Sequence, residues 1–229
     1  MIYAIGDLHL SFSNDKPMKV FGQHWDKHYI KIKNDWEKRV KDDDLVLVPG
    51  DISWAMKLEE AREDIKFISQ LPGRKILVKG NHDYWWNSLS KVSTMYKELD
   101  FIQNNSIIYK NIAICGTRGW ICPNETKFTK DDEKLYNREV NRMEIALKSI
   151  REQVDKIYVM SHFPPTNDKL EPSDFTRLYK EYNVDKVIYG HLHGEESFKM
   201  GLQGVVDDIE YILVSCDYLD FKLKIIDAE

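Results

Sequence analysis

The sequence contains few cysteines and lacks any long apolar run. Its three cysteines, Cys115, Cys122 and Cys216, are an odd number without CxxC spacing, so neither a disulfide framework nor a thiolate zinc site is indicated. No apolar run approaches the ~18 residues of a membrane-spanning helix. The first residues, MIYAI, are too few for the apolar core of a signal peptide, and no basic residue precedes them. Together these features predict a cytoplasmic protein without a membrane partner.

The sequence also lacks an excess of basic residues. Its 33 lysines and arginines are outnumbered by 38 aspartates and glutamates, which gives a net charge of −5. Constitutive binding to nucleic acid usually requires a basic surface, so nucleic acid is a disfavoured partner. A nuclease stays open as an alternative because bound cations can supply positive charge locally.

What the chain does contain is typical of a globular α/β protein. Hydrophobic residues make up 42% of its 229 residues, enough for a substantial core. The chain shows no repeat, low-complexity segment or linker that would support a domain boundary. We therefore predict a single domain over residues 1–229.

Six short apolar runs predict buried β-strands. Their continuous apolar character is typical of strands that are covered on both faces. Between them, three segments carry apolar residues at helical spacing, and this alternation predicts an α/β fold with much parallel pairing. The pattern of the last 25 or so residues, with strand-like runs and little helix between them, predicts antiparallel strands at this end of the domain. The predicted strands are 2–5, 45–48, 75–78, 112–115, 157–160 and 186–189, and the predicted helices are 31–41, 58–71 and 131–154.

Side chains that can bind metals directly follow five of these strands. In an open α/β sheet the carboxyl ends of the strands line the ligand-binding crevice, so these side chains should converge. Any one of the clusters alone is explained equally well by a turn that satisfies its own polar groups. Five clusters at strand ends, holding five of the seven histidines, are not explained in that way. In chain order the residues are Asp7, His9, Asp51, Asn81, His82, Asp83, His162, His191 and His193.

The order of these motifs resembles the signature of the calcineurin-like metallophosphoesterase superfamily, which reads D-x-H, G-D, G-N-H-D/E, H and G-H-x-H. The resemblance spans residues 6–194, and every signature position is filled. It implies a four-layer α-β-β-α sandwich of two mixed sheets flanked by helices, with two metals at the strand ends. One metal would be bound by Asp7, His9, Asp51 and His193, and the second by Asp51 as a bridge, Asn81, His162 and His191.

The chemistry of these ligands agrees with such a site. Oxygen and imidazole ligands without thiolates suit two divalent or trivalent ions, of which manganese is favoured and iron, zinc and cobalt are alternatives. Two such ions lower the pKa of a shared water and clamp the attacking and leaving oxygens. We therefore predict a dinuclear phosphohydrolase in which a metal-bridging hydroxide directly attacks a phosphomonoester or phosphodiester.

Two residues of the third motif, His82 and Asp83, remain after the ligands are assigned. In the resemblance, His82 matches a histidine that binds no metal but faces the phosphate, where it stabilises charge or protonates the leaving alkoxide. Asp83 would then fix the tautomer of His82 and raise its basicity. Asp83 is also explained as the N-cap of a helix over residues 84–99, and both roles are compatible.

Two cations are candidates for contact with the substrate. Arg118 lies between two glycines after a predicted strand, and its guanidinium can clamp two phosphate oxygens. Lys79 precedes the third motif, although a lysine at a strand end is more often solvated. The predicted substrate is a phosphorylated small molecule or a nucleotide. The protein serine/threonine phosphatases of the superfamily carry arginines beside the second and third motifs, and this chain has none after Asp51, so a phosphoprotein substrate is disfavoured.

Residues 10–29 directly follow the first motif and are rich in aromatic residues, lysine and histidine. We predict that they form a lid or wall above the metals, with a packed surface insertion as the alternative. His24 and His28 are four apart, as in a zinc-binding helix, but Trp25 stands where the general-base glutamate would be, so we interpret this spacing as coincidence.

Four tryptophans lie close to the motifs. At least two of them are predicted to seal the core, and the others are candidates for stacking on a base or an aromatic leaving group. They are Trp54, Trp85, Trp86 and Trp120.

Two alternatives to a general phosphohydrolase remain. One is a nuclease or phosphodiesterase that acts on nucleic acids or nucleotides. The other is a non-catalytic scaffold that kept the fold, although a scaffold is expected to have lost ligands and this chain retains all of them.

Overall fold

Two mixed β-sheets pack face to face in the computed structural model, which describes residues 1–228. The first sheet has the strand order β11-β1-β2-β3-β4, in which β1 to β4 run parallel and β11 pairs antiparallel with β1. Its strands are β1 (Ile2–Ala4), β2 (Leu45–Pro49), β3 (Arg74–Val78), β4 (Leu99–Ile102) and β11 (Lys224–Asp227).

The second sheet has the order β5-β6-β7-β8-β10-β9. Strands β6, β7, β8 and β10 are parallel, and the two edge strands, β5 and β9, are antiparallel to their neighbours. Its strands are β5 (Ser106–Tyr109), β6 (Ile112–Thr117), β7 (Lys156–Ser161), β8 (Lys186–Tyr189), β9 (Gly204–Val206) and β10 (Ile209–Leu213).

Six α-helices and two short 3₁₀ helices connect the strands in the described residues. The 3₁₀ helices, Met18–Phe21 and Gln23–Trp25, both lie between β1 and the first α-helix. The α-helices are α1 (His28–Arg39), α2 (Leu58–Ser69), α3 (Leu89–Val92), α4 (Lys130–Lys148), α5 (Asp174–Glu181) and α6 (Glu195–Phe198).

Alternate residues of the strands supply three separate layers of core. In β2, Leu45 and Leu47 face the second sheet, whereas Val46 and Val48 pack with the outer helices of the first sheet. Helices α1 and α2 pack on that outer face, and α4 and α5 pack on the outer face of the second sheet. Since both faces of each sheet are covered, the strands are apolar throughout, and the predicted four-layer α-β-β-α sandwich is confirmed.

Each of the six predicted strands and three predicted helices is present, with shifted ends. The third helix ends at Lys148, well before the predicted residue 154, because Ser149 caps it. The hydroxyl of Ser149 donates to the Ala146 carbonyl at 2.6 Å, and its oxygen lies 2.7 Å from the Ser106 hydroxyl on β5. Strands β4 and β5 and helices α5 and α6 were not predicted.

The helix predicted over residues 84–99 is wrong. Only the four residues of α3 are helical, and Ser88 precedes them in the N-cap position. Asp83 is therefore not a helix cap. The last residue of the predicted helix, Leu99, instead begins β4, which pairs with β3.

Among residues 1–228, no helix combines the length and the apolar character needed to cross a membrane. The single domain over residues 1–229 stays a prediction, and its last residue lies outside the described ones.

A buried lysine ties the end of α2 to β3. Lys75 is almost completely buried, and its ammonium donates to the carbonyls of Leu71 and Gly73 at 2.6 and 2.8 Å and to that of Ser69 at 3.1 Å. Burial lowers the pKa of this ammonium to about 8. The three hydrogen bonds offset part of the cost of burying the charge.

We expect Lys75→Met to lower the free energy of unfolding by about 1–3 kcal/mol, because one buried and two partly buried carbonyls lose a donor while the apolar stem is kept. Urea unfolding followed by circular dichroism measures this change. Lys66→Met, at a half-exposed position of α2, is the matched control and should change the free energy by less than about 0.5 kcal/mol. Equal stabilities of the two variants would contradict this role of Lys75.

Candidate metal centre

The loops after β1, β2, β3, β7 and β8 bring the predicted ligands to one edge of the sandwich. Backbone hydrogen bonds join these loops: Asp7 N–H donates to the Gly50 carbonyl at 3.0 Å, and His9 N–H donates to the Asp51 carbonyl at 2.9 Å. Across the second sheet, Gly190 N–H donates to the His162 carbonyl at 3.2 Å. The first sheet thus contributes three loops to the site, and the second contributes two.

The first cluster contains Asp7, His9 and His193. The Nε2 atoms of the two histidines lie 3.2 Å apart, and Asp7 Oδ1 is 3.9 Å from Nε2 of His193. One ligand atom from each of the three residues lies within 4.8 Å of the others. This spacing allows the three to bind one cation.

The second cluster contains Asn81, His162 and His191. Asn81 Oδ1 lies 2.7 Å from His162 Nε2 and 3.0 Å from His191 Nδ1, and the two ring nitrogens are 3.2 Å apart. On its other side, His162 places Nδ1 3.1 Å from the carbonyl of Pro49. Donation from Nδ1–H to this carbonyl leaves the lone pair of Nε2 directed at the cluster, as a metal ligand requires.

Asp51 lies between the two clusters. Its Oδ2 is 3.8 Å from His9 Nε2 in the first cluster and 3.5 Å from His162 Nε2 in the second. Its Oδ1 accepts a hydrogen bond of 2.8 Å from the backbone N–H of His82. The carboxylate is therefore held in a position from which one oxygen faces both clusters.

Glycines make room for the two buried carboxylates. A Cβ atom on Gly80 would lie 2.1 Å from Asp51 Oδ1, and one on Gly190 would lie 2.4 Å from Asp7 Oδ2. Neither distance is sterically allowed for a side chain. The glycines noted in the motifs thus serve mainly to let the backbone pass close to Asp7 and Asp51.

The backbone at four predicted ligands is in the left-handed region. The φ angles are 57° at Asp7, 44° at His9, 49° at Asp51 and 73° at His191. Such conformations cost of order 1 kcal/mol or more for residues with a side chain, and they concentrate at functional sites. The fold therefore holds these four residues in strained backbone conformations. The binding of a ligand can offset the energetic cost of that strain.

Burial sets the protonation of the ligands. It lowers the pKa of His162 to about 3 and puts the pKa values of His9 and His191 well below the usual range, so these imidazoles are neutral at pH 7. Burial raises the pKa of Asp7 to about 7 and also raises that of Asp51. The three neutral imidazoles are in the form that binds cations, whereas the Asp7 carboxyl, with its raised pKa, has to release a proton when a cation binds.

Asp217 belongs to the site although the sequence analysis missed it. Its Oδ1 is 3.0 Å from His193 Nδ1, and its Oδ2 accepts a hydrogen bond from the Gly194 backbone at 3.2 Å. Burial acts to lower the pKa of His193, but the hydrogen bond to Asp217 and the charge of Asp7 raise it to about 9. Asp217 follows β10, so the same strand-end rule that found the other clusters could have found it.

The donor set fits two metal ions. Aspartate and amide oxygens together with neutral imidazoles suit manganese, iron, zinc or cobalt. The close approach of lone-pair atoms in both clusters is favourable when a cation lies between them. The candidate groups in the structure include Asp7, His9 and His193 as one set and Asp7, Asp51 and His162 as another.

His82 lies beside the clusters without joining either of them. Its Nε2 is 4.0 Å from Asp51 Oδ2, and its side chain is about one-third exposed. The ring centroid is 4.4 Å from that of Trp54. An accessible imidazole next to a buried carboxylate is suitably placed to exchange a proton with a bound molecule.

The predicted pairing of Asp83 with the His82 ring differs from the observed contacts. Asp83 Oδ1 accepts hydrogen bonds from the backbone of Ile52 and Ser53 and from Trp85 Nε1, and Oδ2 accepts one from Gly80 N–H at 2.8 Å. The turn directs the carboxylate inward, toward the loop after β2. Both of its oxygens therefore accept hydrogen bonds from the protein. Asp83 thus positions the second and third motifs, and a catalytic role for it is not what these contacts indicate.

The two predicted substrate-binding cations both contact the protein. Lys79 is half-buried and donates to the Trp86 carbonyl at 2.6 Å, so it is not simply solvated. The Arg118 guanidinium stacks on Trp120, 4.6 Å from the ring centroid, and lies 3.8 Å from the buried Glu139 carboxylate. The backbone of Arg118 accepts hydrogen bonds from His162 N–H and Phe163 N–H, which places the arginine next to the second cluster. Contact of either cation with phosphate stays a prediction.

Part of segment 10–29 reaches the site. Met18, Phe21, His24 and Trp25 line one cavity together with His9 and His193. His28 instead points to the Leu8 carbonyl, 2.8 Å from its Nε2, so the two histidines four apart do not form a joint metal site.

Two of the four tryptophans seal the core, as predicted. Trp85 and Trp86 are completely buried. Trp54 and Trp120 are partly exposed.

The profile of calcineurin-like phosphoesterases matches residues 1–195. The match covers most of the chain, and the protein belongs to the calcineurin-like phosphoesterase family. This result agrees with the resemblance of the motifs. A comparison with curated proteins found no match.

Three solved structures share this fold at low sequence identity. Phosphopantetheinyl hydrolase (PptH) from Mycobacterium tuberculosis is 14% identical with a TM-score of 0.64, covering 99% of this chain and 96% of that chain. The protein TT1561 of Thermus thermophilus is 12% identical with a TM-score of 0.58, covering 97% and 96%. GAP50, described as the anchor in the inner membrane complex of Plasmodium, is 14% identical with a TM-score of 0.52, covering 93% and 70%. At these identities the likeness shows the fold alone.

We expect Asp217→Asn to weaken binding at the first cluster by about 10- to 100-fold, because the acceptor that orients His193 loses its charge. Manganese retained after dialysis against graded chelator concentrations measures the change. Asp220→Asn, three residues further along in an exposed position, is the matched control. Equal retention of manganese by the two variants would contradict a contribution of Asp217 to metal binding.

Proposed function

We propose that the protein is a dinuclear metal-dependent phosphohydrolase that cleaves phosphomonoesters or phosphodiesters. The position of Asp51 carries this proposal, since its Oδ2 lies within 4 Å of imidazoles from both clusters. A bridging carboxylate is the feature that distinguishes a paired-metal site from two separate ones. Family membership and the candidate metal groups support the same conclusion.

In the proposed site, one cation would be held by Asp7, His9, Asp51 and His193, and the other by Asp51, Asn81, His162 and His191. When bound, the two metals provide a hydroxide at neutral pH and neutralise charge on the phosphate. Manganese is the favoured metal, with iron, zinc or cobalt as alternatives.

Within this reaction, His82 has the role of a proton donor. Its side chain is partly exposed and its Nε2 lies at the edge of the clusters, where it can protonate the oxygen of the leaving alcohol. Trp54 contacts the His82 ring at a tilt of 48° and limits its orientation. Asp51 fixes the backbone of His82 through the hydrogen bond from the N–H of that residue, so one carboxylate positions both the metals and the acid.

The non-catalytic scaffold is the second candidate. The similar fold of GAP50, which is described as an anchor, favours it. All seven proposed ligands are nevertheless in place in this chain, and a scaffold has no need of them. The predicted cytoplasmic location and a phosphorylated small molecule or nucleotide as substrate complete the proposal, and nucleic acid stays a disfavoured alternative.

We expect Asp51→Asn and His82→Ala to differ in their effects on metal content and on kcat. Asp51→Asn should lose most bound metal and at least about 100-fold in kcat, because the shared ligand is weakened at both clusters. His82→Ala should lower kcat by about 10²- to 10⁴-fold while metal content stays close to that of the unaltered protein. Elemental analysis and p-nitrophenyl phosphate turnover measure the two quantities in parallel.

Asp42→Asn, in the exposed loop before β2, is the matched control for the loss of a carboxylate. Equal loss of metal in Asp51→Asn and His82→Ala would contradict the division of roles between them.

Removal of the metals provides an independent check of the proposed function. We expect exhaustive chelation to abolish hydrolysis and manganese to restore it, with about two ions bound per chain at full recovery. Hydrolysis that persists after chelation, or a protein that hydrolyses no ester with two manganese ions bound, would refute the metallohydrolase. The second outcome would favour the scaffold.

A further inference from the structure

Two cavities open beside the metal ligands, and each contacts a different cluster. The first, which we call the aromatic pocket, has a volume of about 300 Å³ and is bordered by His9 and His193 of the first cluster. The second, which we call the polar pocket, has a volume of about 310 Å³ and is bordered by His191 of the second cluster. Different residues line the two pockets.

The aromatic pocket is suited to a flat apolar group. Met18, Phe21, Trp25 and Trp54 line it, and residues 18–25 supply three of these four side chains. Phe21 is 63% exposed, an unfavourable state for a phenyl ring that contact with a bound aromatic group would relieve.

His82 lines the aromatic pocket as well. The proposed proton donor therefore faces this pocket, and the alcohol that receives its proton should occupy it.

The polar pocket offers more hydrogen-bonding groups than the aromatic pocket, set among apolar side chains such as Phe163 and Met200. Asn124, Thr126, Lys127 and Asn167 supply those groups, and the Lys127 side chain is exposed. The hydroxyl oxygen of Thr166, another residue of the lining, is buried and has no hydrogen-bond partner within residues 1–228. These groups suit a substituent rich in hydrogen-bonding groups, such as a sugar.

We infer that the substrate is a phosphodiester, with a leaving alcohol that carries an aromatic ring in the aromatic pocket and a polar second substituent in the polar pocket. This inference rests on the proposed phosphohydrolase function. A phosphomonoester has a single organic substituent and would fill one pocket only. A phosphodiester has two, and the phosphate that joins them would lie at the clusters between the pockets.

The reaction of such a diester is a balanced hydrolysis. The oxygen of one water forms a new bond to phosphorus, and the bond between phosphorus and the oxygen of the aromatic alcohol breaks. That oxygen receives a proton from His82, and the water releases its protons to His82 and to solvent. The products are the free aromatic alcohol and a phosphomonoester that carries the polar substituent.

Substrates with one common leaving group test the inference. p-Nitrophenyl phosphate, methyl p-nitrophenyl phosphate and thymidine 5′-p-nitrophenyl phosphate all release p-nitrophenol and differ only in the second substituent. With the manganese-loaded protein, we expect kcat/KM for the thymidine diester to exceed that for the monoester at least tenfold, with the methyl diester between them.

Variants in the two pockets should respond differently. Phe21→Ala should lower kcat/KM about five- to tenfold for all three esters, since every one of them places its nitrophenyl ring in the aromatic pocket. Lys127→Met should lower the preference for the thymidine diester over the monoester at least threefold. Val205→Ala, at an exposed position of β9, and Lys97→Met, in the exposed loop before β4, are the matched controls.

A binding measurement tests the aromatic pocket independently of catalysis. We expect 2-naphthol to bind the metal-free protein in a calorimetric titration and to bind Phe21→Ala at least fivefold more weakly, whereas cyclohexanol should bind neither measurably.

The outcomes distinguish this inference from the proposed function. If the monoester is hydrolysed as efficiently as the thymidine diester, or if Lys127→Met leaves the preference unaltered, the diester inference is wrong while the hydrolase stands. If none of the three esters is hydrolysed by the manganese-loaded protein, the proposed function is wrong, and with it the inference.

Discussion

The placement of the Asp51 carboxylate between two groups of imidazoles is the constraint on which the rest of the site depends. Several features hold it there: the close approach of Gly80, the hydrogen bond from His82 N–H and the left-handed backbone at Asp51 itself. The first two require the loops after β2 and β3 to lie side by side, which the parallel pairing of those strands ensures. The fold therefore stabilises the carboxylate in a buried position that is unfavourable without a cationic partner.

The sandwich has to be assembled from both sheets before this site exists. Asp7, His9, Asp51 and Asn81 come from the first sheet, whereas His162, His191 and His193 come from the second. The apolar layer between the sheets, which includes Leu47, Ile76 and Met160, sets their separation. Substitutions in that layer should therefore affect the relative positions of the ligands as well as stability, because close-packed interiors transmit displacement.

Much of this arrangement is readable from sequence because strand ends carry a strong signal. An apolar run followed by a metal-binding residue, with a glycine between them in four of the five loops, predicts both a buried strand and its functional end. This pattern singled out all seven proposed ligands. The weaker elements lack that signal. Strand β4 contains Asp100 in a run of only four residues, and β5 is half-buried, so neither shows the apolar run of a central strand.

The errors concern contacts that depend on three-dimensional proximity. From the sequence, Asp83 is predicted to orient its neighbour His82 or to cap a helix. Its hydrogen-bond partners instead include Ile52 and Ser53 from another loop. Asp217 contacts His193 across 24 positions of the chain. Side-chain partners of this kind are set by tertiary packing, and a local pattern does not specify them.

The separation of His9 and His193 has a consequence for biosynthesis. These two histidines face each other at 3.2 Å although they are 184 positions apart along the chain. A nascent polypeptide leaving the ribosome exposes its first two motifs long before the last one, and a single aspartate or histidine binds divalent ions only weakly. Tight binding of the proposed metal ions would therefore await synthesis of the chain through His193, and metal that meets only the earlier motifs would be held weakly.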